Sequence, residues 1–162
     1  MPKLATYPEK TVVDTAKKDD ECVLHFSLQG ALPAGHTLAL YRPLGILSYI
    51  VADGDQPRLV EQQQFTSSEL SLLLPLLDCY PYYCPYEVLF AHFYHTHVTE
   101  KIIARCRERL QQAREDDTWD LEIRSIRNML SRVRIKARVL GLEISSILDT
   151  GYLLRVVKHL EP

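Results

Sequence analysis

The sequence predicts an α+β protein in which strands come first, helices follow and a β-hairpin closes the chain. β-prone runs separated by Gly- and Pro-containing turns occupy residues 21–64. From Thr66 the apolar residues recur three and four apart, the period of a helix. After Gly141 the period shortens again, with two β-prone runs around Asp149-Thr150-Gly151.

Each element has a local reason. Residues 1–20 are polar, with Pro2, Pro8 and a Lys17-Lys18-Asp19-Asp20 cluster, and read as an extended arm. Cys22–Leu28, Thr37–Tyr41, Gly45–Val51 and Arg58–Gln62 read as four strands of an antiparallel sheet, broken by 30–35, Pro43 and 52–57. Thr66-Ser67-Ser68-Glu69 has the form of a capping box and opens the first helix. Leu70, Leu73, Leu74 and Leu77 are its expected buried face, and Pro75 should bend or shorten it. Tyr82–Cys84 reads as a short strand, and Pro85 suits the first turn of a second helix running to about Tyr94. Residues 99–114 form another helical pattern, with a stripe of Ile102, Ile103, Cys106, Leu110 and Ala113. Asp117 or Thr118 can cap the helix that follows.

That last helix, 120–140, organises the chain. Ile123, Ile126, Leu130, Val133, Ala137 and Leu140 line one stripe, and Gly141 can stop the helix in the left-handed conformation. The rest of its surface carries Arg124, Arg127, Asn128, Arg132, Arg134, Lys136 and Arg138, with no acid between Glu122 and Glu143. The chain as a whole has a net charge of −2, so it is not a basic protein; any phosphate-binding site must come from this local arrangement. A basic amphipathic helix leading into a hairpin (143–148, 152–157) outlines a winged helix-turn-helix, with the helix in the major groove and the hairpin as wing.

Ser131-Arg132-Val133-Arg134-Ile135-Lys136, followed by Ile144-Ser145-Ser146-Ile147-Leu148-Asp149-Thr150-Gly151-Tyr152-Leu153-Leu154, resembles the end of an OmpR/PhoB-type winged-helix DNA-binding domain. Gln64–Leu73 resembles the start of that family's first helix. The resemblance spans roughly 44–157. It implies an N-terminal antiparallel sheet, three core helices and a C-terminal hairpin, and it implies a transcriptional regulator that binds specific double-stranded DNA. Position by position, it implies that Asn128 and Arg132 face base edges and that Arg134 lies near phosphate. The chemistry agrees: Asn pairs with adenine and Arg with guanine, while Arg124, Arg127 and Ser131 lie alongside, and Arg134 and Lys136 suit phosphate. Arg138 reads as solvated.

Two features depart from the family. Residues 95–118 replace a short loop with an extra helix, either a surface for RNA polymerase or another regulator, or a segment packed on the domain. In the wing, Leu148 and Asp149 stand where Arg-Gly is usual, and Asp149 would repel phosphate. The chain divides on this reading into the arm (1–20), the sheet (21–64) and the winged-helix domain (65–162). No receiver domain is expected before the first helix, which leaves the switch open among a partner protein, dimerisation and an effector bound near the inserted helix.

Other functions find less support. Cys79, Cys84, His92, His95, His97 and Cys106 lie within one stretch but lack metal-site spacing, so no metal or other cofactor is expected, and metal sensing ranks last. No nucleophile elbow or phosphate-cradling glycine loop is present, which argues against an enzyme. The uneven cysteines, the lack of an apolar leader and the lack of a membrane-length apolar run suggest a cytoplasmic, nucleoid-associated protein. The main rival reading is a winged helix used to bind proteins, which net acidity and Asp149 favour.

Overall fold

The computed structural model describes residues 22–162; the expected arm, 1–20, lies outside them. Strands β1 (Val23–Phe26), β2 (His36–Tyr41), β3 (Ile46–Asp53) and β4 (Gln56–Gln64) form an antiparallel sheet in chain order. Register pairs Leu38 with Tyr49 and Leu40 with Leu47, so these four buried side chains share the inner face. Two strands differ most in length from expectation. β1 stops at Phe26 because Leu28 and Gln29 turn left-handed, which drops the Leu28 side chain into the core. β4 is longer than the apolar pattern suggests because backbone pairing with β3 carries its polar ends.

Helix α1 (Ser67–Cys79) opens with the expected capping box. The Thr66 hydroxyl accepts from the Glu69 amide (3.2 Å), and the Glu69 carboxylate accepts from the Thr66 amide (3.0 Å). The helix continues through Pro75. Its fully buried leucines are Leu72, Leu73, Leu76 and Leu77, whereas Leu70 and Leu74 are only partly buried. The expected face was too narrow because α1 is covered from more than one side, by α2 and α4.

The short strand β5 is Cys84–Pro85, sharing only Cys84 with the expected 82–84, and Pro85 sits at the N-cap of helix α2 (Tyr86–Tyr94) rather than in its first turn. Helix α3 (Glu100–Glu115) is the inserted helix, and it packs on α2 through its stripe of Ile103, Cys106, Leu110 and Ala113. Helix α4 (Trp119–Val139) follows. Thr118 occupies its N-cap, but its hydroxyl turns back to the Ala113 carbonyl (3.4 Å) and caps nothing on α4.

The α4 stripe of Ile123, Ile126, Leu130, Val133 and Ala137 is completely buried, against α1, β4 and the closing hairpin. Gly141 ends the helix at φ +77°. Strands β6 (Leu142–Ile147) and β7 (Gly151–Val156) then pair, and β5 joins them in the order β5-β7-β6. One continuous core runs from Leu28 to Leu154, so the sheet and the helical part bury a common interior. Among the described residues no helix is long and apolar enough to cross a membrane.

Candidate nucleic-acid interface

Everything that fixes α4 lies on one side of it. Its apolar stripe is sealed, and its C-terminal half is tied down by two cations. The Arg134 Nε–H donates to the Ile144 carbonyl on β6 (2.8 Å), and the guanidinium lies 5.4 Å from the Tyr152 ring centre. The Lys136 ammonium donates to Glu69 Oε1 (2.7 Å) and to the Gln64 carbonyl (2.8 Å), with the Phe65 ring 5.5 Å away. Glu69 is buried, with its side chain only 4% exposed. Burial pushes its carboxyl up; the Lys136 ammonium and the Thr66 amide and hydroxyl outweigh that, so it titrates below the ordinary carboxylate range.

The sequence suggests phosphate contacts for Arg134 and Lys136; in the fold the Arg134 Nε–H and the Lys136 ammonium are bonded to neighbouring elements, and both residues are half-buried. The reason is reach. Both leave the flanks of the buried stripe, and their long stems carry the charge to acceptor oxygens on neighbouring elements.

The remaining candidates are where the helical period puts them. Arg124, Arg127, Asn128, Ser131 and Arg132 are all exposed, spaced three and four apart on the outward face of α4. Arg127 makes a surface contact with Asp120 (3.4 Å), and the Ser131 hydroxyl donates to the Arg127 carbonyl (3.1 Å). Arg138, expected only to be solvated, continues this face by another turn. Ile135, 66% exposed, lies among these polar residues, with Leu121 and Val139 near the two ends. Sequence reasoning passed over these three; the available signal was their position off the 3.6-residue stripe. The outward surface is thus a rigid cationic rod with apolar points, able to accept phosphates, hydrogen-bond base edges and touch thymine methyls.

Comparison with protein-family models, curated proteins and solved structures finds no match. The face must therefore be read from its own chemistry.

The hairpin packs on α4 through β6. Tyr152 on β7 and Trp119 at the start of α4 both meet the Tyr86 ring edge-on (5.7 and 5.1 Å), which locks α2, α4 and the hairpin together. Burial and the neighbouring Tyr152 raise the Tyr86 hydroxyl's pKa, so it stays neutral at any physiological pH. Between α3, the start of α2 and the hairpin turn lies a cleft of about 250 Å³, lined in part by Tyr83, Gln111, Arg114 and Thr150. The Arg114 guanidinium stacks on Trp119 (4.1 Å) and donates to the Asp149 carbonyl at the hairpin tip.

The Cys/His stretch has no comparable organisation. Among the described residues, no three His, Cys, Asp or Glu side chains converge as a metal site would require. Cys84 and Cys106 are buried, and burial raises both thiols' pKa values, leaving them protonated.

Proposed function

We propose that this protein is a sequence-specific double-stranded DNA-binding regulator of transcription, a winged helix-turn-helix of OmpR/PhoB type. On this reading α4 lies in the major groove and the β6–β7 hairpin serves as its wing. One observation carries the reading: the outward face of α4 exposes Arg124, Arg127, Asn128, Ser131 and Arg132 together, on a helix whose other side is sealed into the core. Element order is compatible with it, since a sheet, four helices (α3 being the insertion) and a closing hairpin follow in the expected sequence.

Asn128 and Arg132 read base edges. Arg124, Arg127 and Arg138 meet phosphates, and Ser131 supports either contact. Arg134 and Lys136 hold the helix at the angle that presents the others. A homodimer would read two half-sites, and α3 offers a surface to RNA polymerase or another regulator.

The test is selection of bound sites from random duplex DNA, followed by salt titration on the selected site. Specific binding should weaken steeply with salt. Arg132→Ala should lose discrimination at one base position, by about 1–3 kcal/mol. The exposed Leu121, Ile135 and Val139 favour one rival, a protein-docking helix. Salt-insensitive binding to a protein partner, with no selected DNA site, would establish that rival instead.

A further inference from the structure

We propose that Leu148 is the hairpin's contact with DNA, an apolar side chain laid into the minor groove and held in place by Arg114 of the inserted helix. The inference rests on the reading of α4 as a DNA-binding helix and adds a contact of a different chemistry.

Leu148 is 87% exposed, more than any other large apolar side chain among the described residues. An exposed leucine on a loose loop would mean little, but this turn is held from several directions. The Thr150 amide donates to the Ile147 carbonyl (3.1 Å), and the Thr150 hydroxyl donates to the Leu148 carbonyl (3.0 Å). The Tyr86 amide donates to the Thr150 carbonyl (3.1 Å), tying the turn to the start of α2. Asp149 sits left-handed at φ +53°, and its carbonyl accepts from Arg114.

That last contact fixes the tip where packing does not. The cleft lies beside the turn, with Asp149 and Thr150 on its wall. Arg114 reaches it from α3, its guanidinium plane fixed by the Trp119 ring. The result is a turn held at several points near the start of α4, presenting one exposed apolar side chain.

A cationic wing would bind phosphate or the electronegative minor groove. This tip carries Asp149, which opposes such contacts. Apolar insertion does not depend on charge, and leucine is among the side chains that enter the minor groove as wedges. The inserted helix acquires a role on this account: it braces the wing, with Arg114 as a positioning residue.

Salt-titrated duplex binding on the selected site tests the assignment, with circular dichroism confirming that each variant folds. Leu148→Ala should weaken binding about five- to tenfold, by the loss of buried apolar surface. The slope of log affinity against log salt should not change. Leu148→Arg should steepen that slope by about one. Arg114→Ala should weaken binding as Leu148→Ala does, and the double variant should lose little more, because both act through one contact.

If Leu148→Ala binds as wild type does, the hairpin assignment falls while α4 keeps its role. If Arg114→Ala flattens the salt slope, Arg114 is a phosphate ligand and the brace falls. If the wild-type protein shows no salt-dependent duplex binding, the reading of α4 fails, and Leu148 falls with it.

Discussion

Lys136→Met removes a charge that the sequence assigns to DNA and the structure assigns to the interior. In the wild-type protein the Lys136 ammonium sits 2.7 Å from Glu69 Oε1, which also accepts from the Thr66 amide. Glu69 Oε2 is buried with no hydrogen-bond partner among the described residues. Methionine keeps the stem's packing beside Phe65 but leaves a buried carboxylate with no cation and only Thr66 beside it. Breaking a buried pair from one side costs roughly 3–5 kcal/mol, and Lys136 is 30% exposed, so about 2–3 kcal/mol is expected at neutral pH. Urea denaturation followed by circular dichroism measures it.

The pH dependence should differ between the two proteins. In the wild type, the folded-state pKa of Glu69 lies below its unfolded value. Its stabilising contribution is therefore present above the unfolded pKa and is lost as pH falls through the folded one. In Lys136→Met, burial is opposed only by the Thr66 amide and hydroxyl, so the folded-state pKa rises from its wild-type position. Acidification then protonates the carboxyl and removes the penalty, so the deficit relative to wild type should shrink from pH 7 towards pH 4. The double variant Glu69→Leu/Lys136→Met should recover most of the loss. Duplex binding by the folded single variant should keep the wild-type salt slope, because this ammonium is not spent on phosphate. A variant as stable as wild type at pH 7, or a deficit that grows on acidification, would refute the reasoning.

Other expectations concern single positions and are checked by the same denaturation measurement unless stated. Gly141→Ala forces a side chain into a left-handed position, φ +77°, directly against the Lys158 carbonyl, and should cost about 2 kcal/mol or more. Thr66→Ala removes the hydroxyl half of the α1 capping box and should cost about 1 kcal/mol. Leu130→Ala opens a cavity at the centre of the buried α4 stripe and should cost about 3 kcal/mol. Asn128→Ala, at an exposed position that touches no core, should leave the denaturation midpoint nearly unchanged while relaxing base preference at one position in duplex selection.

What the sequence made legible was whatever depends on period and local chemistry. The α4 stripe is buried at every position named, because a 3.6-residue repeat of aliphatics can be satisfied only against a core. The Thr66–Glu69 box formed because both partners lie within four residues. Gly141 turned left-handed where the stripe ends. What failed to show depends on distant neighbours. Leu72 and Leu76 are buried because α1 is covered on several sides, which no single helix period reveals. Thr118 was a plausible cap until the Ala113 carbonyl, five residues back, took its hydroxyl.

The same distinction governs the candidate site. Periodicity divides α4 into an inner and an outer face, but it cannot say which cations on the flanks turn inward. Arg134 and Lys136 look like their neighbours in the sequence; only Ile144 on β6 and Glu69 on α1, 10 and 67 residues away, separate them. Glu69 is the instructive case. Its position in the capping box accounts for one oxygen, which the Thr66 amide reaches, and that oxygen also sits where α4 crosses α1. A carboxylate buried at a helix crossing needs a cation from the crossing helix. One of the basic residues on α4 is therefore required by the fold, whatever the helix binds. A count of positive charges overstates the electrostatic footprint by the charges the protein spends on itself. The outward residues, Arg124, Arg127, Asn128, Ser131 and Arg132, are the ones left to act on a partner, and their preserved exposure, rather than the helix's total charge, is the physical argument for a duplex.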